Sequence, residues 1–279
     1  MKIDLHVHIR RAHNLSEIRS VLKKRNIDAI AITNFFDISL AQWVQKRLPE
    51  FLVIVGQEVE SSAGHILAID IRENIPNFLT PHETIAQIHA QGGLAILAHP
   101  FLIYHSLVPL GKYAHLPFDA IEVFNFRASP LLFPNILAQL ILSRRSVPLV
   151  ANSDSKDVAS IGICHNKVPG KTKSEVLENI KKGHIERHTE MVWPNPAWIF
   201  QFGYQHFTHH RAFTCPVCGT NFIRTILPQK QKCLVCGEIQ KNNIICPEKH
   251  FICKPCRTQR DFKTEYLEKY RKELGIDLE

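Results

Sequence analysis

The stretch that decides the fold is MKIDLHVH, residues 1–8: a short β-branched run, Lys2–Leu5, followed by His6 and His8. Spacing of two places both imidazoles on one side of an extended chain. Seven more runs of the same kind follow, at Ala29–Thr33, Leu52–Val55, His65–Ile69, Leu94–Leu97, Ala120–Phe124, Pro148–Ala151 and Ser160–His165. Helix signals lie between several of them. Asn14 with Glu17 reads as a capping box ahead of Leu15, Ile18, Val21 and Leu22. Thr80-Pro81-x-Glu83 is a second start signal, and Gly92-Gly93 stops that helix. Strand followed by helix, repeated, predicts an α/β fold of parallel strands with helices outside, and this many units favours a closed barrel.

The barrel reading brings polar residues together. His6 and His8 follow the first strand, Glu58 the third, His99 the fifth, Asn125 the sixth and Asp154 the seventh. Parallel barrels open all these ends on one face, where such folds place their chemistry. His65 joins them if its strand is reversed.

Composition sets the limits around this picture. The 279 residues are 45% apolar and 22% charged, enough for a packed core and against wholesale disorder. No segment approaches the roughly 18 uninterrupted apolar residues of a membrane span, and Lys2 and Asp4 interrupt any export signal, so the expectation is a cytoplasmic protein with reduced thiols. The chain has 16 His and 8 Cys, and carries a formal charge of +8. Every cysteine except Cys164 falls between Cys215 and Cys256.

Those cysteines are spaced Cys215-x2-Cys218-x14-Cys233-x2-Cys236-x9-Cys246-x3-His250-x2-Cys253-x2-Cys256. Eight ligands are what two closed tetrahedral zinc sites require. Two pairings fit. A zinc ribbon would join Cys215, Cys218, Cys233 and Cys236 and leave Cys246, His250, Cys253 and Cys256 for the second ion. A RING-type cross-brace would let alternate pairs share a metal. Residues 206–279 hold 13 basic and 8 acidic side chains, and Lys230, Lys232, Lys241, Lys249, Lys254, Arg257 and Arg260 suit a nucleic-acid partner. Phe222, Phe251 or Tyr266 could stack bases. The organisation expected is a barrel at 1–192, an aromatic connector at 193–212, and a zinc module at 213–279 ending in an amphipathic helix marked by Phe262, Tyr266, Tyr270 and Leu274.

DLHVH at Asp4–His8, GQEVES at Gly56–Ser61, GHILAI at Gly64–Ile69, AHP at Ala98–Pro100, IEVFNFR at Ile121–Arg127 and NSDS at Asn152–Ser155 resemble, in order, the motifs of the PHP (polymerase and histidinol phosphatase) phosphoesterases. The resemblance implies a distorted (βα)7 barrel that hydrolyses phosphoesters with a His-rich metal cluster. It implies one metal on His6, His8, Asp154 and a bridging Glu58, and a second on Glu58, His65 and His99, drawn from Zn, Mn or Fe. The family's third site asks for a ligand near His13 and two further histidines. Here those two positions hold Phe35, after Asn34, and Lys156. A two-metal centre is therefore expected, with Lys156 in the third metal's place and Arg10, Arg11 and Arg127 toward substrate phosphates. A PHP barrel followed by a zinc module is also the layout of endonuclease Q, which points to nucleic acid as substrate. The alternatives are a small-molecule phosphomonoesterase of histidinol-phosphatase type and a non-catalytic scaffold that binds nucleic acid or protein.

Overall fold

The computed structural model describes residues 1–10, 13–102, 113–131, 133–191, 223–253 and 256, with backbone alone described at 223–228, 243 and 244. Arg11, the connector at 193–212, Cys215, Cys218, Phe222, Lys254, Arg257, Arg260 and the expected terminal helix lie outside the described residues. The chain divides into two compact units, Met1–Pro194 and Asn195–Glu279.

The first unit runs β1 (Lys2–Val7), α1 (Leu15–Arg25), β2 (Ala29–Ile32), α2 (Ser39–Gln45), β3 (Leu52–Ser61), β4 (Gly64–Ile69), α3 (Pro81–Ala90), β5 (Leu94–Leu97), β6 (Ala120–Asn125), α4 (Phe133–Leu142), β7 (Leu149–Asn152), β8 (His165–Lys167), α5 (Lys173–Lys181) and β9 (Glu186–His188). The sheet order is β7-β6-β5-β4-β3-β2-β1-β8-β9. Strands β1, β2 and β3 are mutually parallel, as are β5, β6 and β7, while β4 is antiparallel to both its neighbours.

Side chains bring the ends of this sheet together. Asn152 Oδ1 accepts from the Leu5 amide at 3.1 Å, Asn166 Oδ1 accepts from the Ala151 amide at 2.9 Å, and the His8 amide donates to Ser155 O at 2.9 Å. Asparagine supplies both a donor and an acceptor, so it can replace a missing ladder rung. The result is a nearly closed, distorted (βα)7 barrel, β1 to β7, to which β8 and β9 are appended.

An inner apolar cluster gathers Ile3, Leu5, Ala31, Ile54, Leu67, Ile96 and Val150, with Val176 and Ile180 of α5. An outer one packs Ile30, Ile32 and Val55 against Ile18, Leu22, Val44, Ile85 and Ile88 of α1, α2 and α3. Alternation along each strand assigns the faces. In β1 the register with β2 shifts between Asp4 and Val7, and Val7 joins the outer cluster although Ile3 and Leu5 are inner. That bulge turns His6 and His8 inward, the re-aiming that bulges perform beside functional sites.

Several sequence expectations need adjustment. Strand β3 does not stop at Val55. From Gly56 it leaves β2 and continues paired with β4 to Ser61. A Cβ at Gly56 would stand 2.7 Å from Ala68 O, so only glycine lets the strand change partners there. Glu58 therefore sits inside a strand rather than after one. The run Ser160–His165 is not a strand: a short 3-10 turn covers Val158–Ser160 and β8 begins at His165. Strand β9, whose sequence ERH is exposed at all three positions, had no periodicity to announce it. Asn14 caps α1 by accepting from the Ser16 amide at 2.9 Å, without the reciprocal Glu17 bond, whereas Thr80 and Glu83 form a complete capping box.

The second unit contains an antiparallel hairpin of β10 (Ile223–Lys232) and β11 (Ile239–Ile245). Among the described residues, no helix is long and apolar enough to cross a membrane.

Candidate metal centre

His6, His8, Glu58, His65, His99 and Asp154 meet at the mouth of the barrel, and each is buried. Glu58 stands between two groups. Its Oε2 lies 3.2 Å from His6 Nε2 and 2.9 Å from His8 Nε2, and Asp154 Oδ1 lies 3.5 and 3.3 Å from the same two nitrogens. Its Oε1 lies 2.7 Å from His65 Nδ1 and 3.1 Å from His99 Nε2. In each group the ligand atoms fall within 4.8 Å of one another.

Burying carboxylates is costly unless a cation answers them. Glu58 Oε2 is buried and accepts no hydrogen bond of acceptable geometry, despite the two imidazoles beside it. Ring nitrogens and carboxylate oxygens that crowd together without pairing well are converging on a shared point, and that donor set fits a divalent ion. The electrostatics agree. Burial pushes the Glu58 and Asp154 carboxyls up, but His65 and His6 around the former, and Lys156 and His6 around the latter, hold both well below the usual carboxylate range. Burial lowers the affinity of His6 for a proton, yet Asp154, Glu58 and Glu122 together raise it well above the usual imidazole value. The centre thus demands positive charge, met by a proton on His6 or by a metal that displaces it.

Two ligand positions adopt left-handed backbone that non-glycine residues avoid: His99 at φ 23° and Asp154 at φ 49°. Strain of this kind, about 1–3 kcal/mol each, concentrates at functional sites.

Comparison with known proteins places this geometry. No protein-family model matches the chain. Over 141 residues it is 33% identical to the uncharacterized protein MJ1587 of Methanocaldococcus jannaschii, covering 45% of this chain and 82% of that protein. The chain belongs to that archaeal protein's family. Its barrel also superposes on a two-domain protein from Bacteroides vulgatus described as containing a predicted PHP-like metal-dependent phosphoesterase, with a TM-score of 0.52 and 15% identity over 68% of this chain. The chain spans 65% of that protein's length. PsfC from Pseudomonas syringae matches with a TM-score of 0.50 and 17% identity, over 74% of this chain and 97% of its own. The barrel has the PHP-like fold.

Phe35 and Lys156, where the resemblance expects two further histidines, both lie beside the cluster. The Phe35 ring stacks on His8 with centroids 5.1 Å apart and meets His65 edge-on at 5.3 Å. Lys156 Nζ lies 5.1 Å over the Phe35 ring and 3.0 Å from Asp154 Oδ1. His13 stands outside every ligand group among the described residues: its Nδ1 accepts from the Arg10 amide at 3.3 Å, which closes a local turn. Arg10 is exposed and Arg127 half-buried.

Sequence reasoning missed two acids. Glu122 is buried in β6, where Oε1 takes His6 Nδ1 at 3.0 Å and the Asn152 amide at 2.9 Å, while Oε2 takes the His99 amide at 2.9 Å and Asn125 Nδ2 at 3.0 Å. It fixes the His6 ring so that Nε2 faces Glu58, the orienting role of a carboxylate behind a metal-binding histidine. A lone Glu in the apolar run AIEVF was the available signal. Asp4 is likewise buried, accepting from Ser153 Oγ at 2.5 Å and the Gly162 amide at 2.9 Å. Burial outweighs these bonds and pushes its carboxyl up to about 6.

In the second unit the sulfurs of Cys233, Cys236, Cys253 and Cys256 form one group. This is the combination that a cross-brace gives; Cys215 and Cys218, which the ribbon pairing would add to Cys233 and Cys236, lie outside the described residues. Cys236 Sγ and Cys253 Sγ are 3.5 Å apart, near the edge of about 3.8 Å that a tetrahedron of 2.3 Å Zn–S bonds requires. Burial raises the Cys233 thiol, but amides of Cys253, Cys236 and Val235 directed at its sulfur outweigh this and bring it down to about 6. Cys246 Sγ and His250 Nδ1 lie 3.8 Å apart, outside that group. Phe251 is buried with these cysteines and is no stacking platform for a base. Lys230, Lys232, Lys241 and Lys249 are exposed.

Proposed function

We propose that this chain hydrolyses phosphoester bonds at the barrel mouth with two divalent ions, and that its substrate is nucleic acid. The observation that carries the reading is the single Glu58 carboxylate facing two ligand sets at once. His6, His8, Asp154 and Glu58 Oε2 would hold one ion; Glu58 Oε1, His65 and His99 would hold the other. Imidazole mixed with carboxylate suits Zn, Mn or Fe. Two such ions supply Lewis acidity toward phosphoryl oxygens and lower the pKa of a water.

The chain's own residues do the rest. Glu122 keeps the His6 proton on Nδ1, so Nε2 presents a lone pair. Lys156, with its side chain 26% exposed beside Asp154, reaches the mouth and binds a non-bridging phosphate oxygen as a point charge. Arg10 and Arg127 follow β1 and β6 and serve flanking phosphates. Hydrolysis of this class is also what is predicted for the Bacteroides vulgatus neighbour.

The hairpin supports a polyanionic substrate. Lys230 stands directly opposite Lys241, and Lys232 opposite Ile239, so three lysines share one face with an isoleucine that is 63% exposed. Like charges placed opposite one another in a ladder cost stability. A phosphate backbone laid across them turns that cost into binding. The Cys-rich unit, with two structural zinc ions, would hold the nucleic acid.

The test is metal content by mass spectrometry with turnover of a generic phosphodiester, a phosphomonoester and labelled oligonucleotides. Two ions beyond those on the cysteines, and cleavage of oligonucleotides lost in Glu58→Gln, are expected. Lys230→Glu with Lys241→Glu should flatten the salt dependence of oligonucleotide binding by about one unit of slope per lysine. A barrel without divalent ions defeats the two-metal reading. Turnover confined to the monoester defeats nucleic acid as substrate.

A further inference from the structure

At the opposite end of β1 from the metal centre lies a cavity of about 430 Å³, lined by Lys2, Arg25, Lys167, Arg187, His165 and His188. Lys2 begins the strand on which His6 sits, so at about 3.3 Å per residue the two places are separated by roughly 13 Å. The lining holds four Lys or Arg side chains against two carboxylates, Glu186 and Glu190. Both carboxylates are engaged within the lining itself: Glu186 Oε2 pairs with Lys167 Nζ at 3.0 Å, and Glu190 Oε1 faces His188 Nε2 at 3.7 Å, which leaves Lys2, Arg25 and Arg187 to face the cavity. Among the described residues no carboxylate pairs with the side chain of Lys2, Arg25 or Arg187.

The walls are built rather than incidental. His165 is buried, stacks on His188 with ring centroids 4.6 Å apart, and donates from Nδ1 to Gly162 O at 3.1 Å. Arg25 Nη1 is braced on Ile161 O at 2.8 Å, which leaves the rest of its guanidinium fork for a planar anion. The Gly162 amide donates to Asp4, which also accepts from Ser153, the neighbour of Asp154, and from the His6 amide. The volume falls within the range of small-ligand sites.

The geometry points to a phosphoryl-binding site in this cavity, separate from the metal centre, in which Lys2, Arg25 and Arg187 recognise a phosphate carried by a nucleotide or by a nucleic-acid backbone. Three cations that no carboxylate among the described residues pairs, around a cavity of mononucleotide size, favour an anion of more than one negative charge, and guanidinium forks favour phosphate over halide. Nothing in this inference depends on turnover at the metal centre.

The experiment is calorimetric titration of the full-length, metal-replete chain with three probes: inorganic phosphate, a nucleoside monophosphate and a single-stranded oligonucleotide. The proteins are the wild type, Lys2→Glu with Arg187→Glu, Arg187→Lys, and each of these with Glu58→Gln. Charge reversal should weaken binding of at least one probe tenfold or more, Arg187→Lys should recover most of it, and the loss should persist in the Glu58→Gln background. A loss for all three probes identifies a free phosphoryl group as the ligand, and a loss for the oligonucleotide alone identifies the backbone. Isotherms that coincide with the wild type for every probe overturn the proposal. Arg187 is exposed, so charge reversal should leave the melting temperature unchanged. Were the double variant to melt early, Lys2→Ala with Arg187→Ala gives the same comparison.

Discussion

Replacing Glu122 by glutamine tests the arrangement behind His6 without touching the six residues of the two ligand sets proposed above. The carboxylate receives four donors, His6 Nδ1 and the Asn152 amide on one oxygen, the His99 backbone amide and Asn125 Nδ2 on the other. Burial pushes its carboxyl up, but His6 and His99 outweigh that and keep it ionised below the usual range. Glutamine has the same shape but one acceptor. Its NH2 must face two donors in either orientation, leaving buried groups unsatisfied at about 1–3 kcal/mol. If the NH2 faces His6, the imidazole changes tautomer and puts its proton on Nε2, the atom aimed at Glu58. Loss of such an orienting carboxylate weakens metal affinity 10- to 100-fold, equivalent to about 1.4–2.7 kcal/mol. Competition with a chromogenic chelator should show this for one ion per chain, with the ion on His65 and His99 less affected. Urea denaturation of the same variant should show a loss of about 1–3 kcal/mol. A Glu122→Gln protein that is destabilised but binds both ions with wild-type affinity refutes the orienting role.

Other measurements address the remaining features. Phe35→His together with Lys156→His should restore the missing ligands of the third site and raise the metal content by one ion per chain; an unchanged stoichiometry would mean that more than these two side chains closes it. Because Cys233 and Cys253 share one ligand group, Cys233→Ser, Cys253→Ser and the double variant should each lack the same single zinc ion. Loss of two ions in the double would restore the ribbon pairing. Cys164 is buried, and burial pushes its thiol up to about 12 from an ordinary 9.0. At pH 8 its thiolate is about a thousandfold scarcer than in the unfolded chain, so iodoacetamide should label the Cys164 peptide only after denaturation. The linkage has a definite sign. A folded pKa above the unfolded one gives stability that is complete below pH 9 and is lost as pH rises toward 12, so alkaline melting should steepen in that window.

Much of the barrel was legible because its signals are local. Thr80, Pro81 and Glu83 settle the start of α3 within four residues, and alternation in His6-x-His8 settles that two imidazoles share a side, though the bulge in β1 decides which one. Reversal of β4 was legible only as a condition on His65. The length of β3 was not legible at all, since Gly56 changes partners through a contact with Ala68 that lies twelve residues on and across the sheet. His13, which the resemblance offers for a third site, accepts the Arg10 amide on Nδ1 and stands outside the ligand groups of the described residues.

By itself, the sequence determined the strand-helix alternation and the eight-ligand pattern of the Cys-rich module, because each is written in spacing along one chain; the set of six metal-competent residues came from the resemblance to the PHP motifs. Tertiary structure alone decided that Glu122 stands behind His6 and, between the two pairings the spacing left open, that Cys233 and Cys236 group with Cys253 and Cys256. It also decided that Lys2 and Arg187, 185 positions apart, line one cavity. These are relations between side chains brought together by strand register and a β-bulge. Register is fixed by the packing of the whole sheet, which no local pattern encodes.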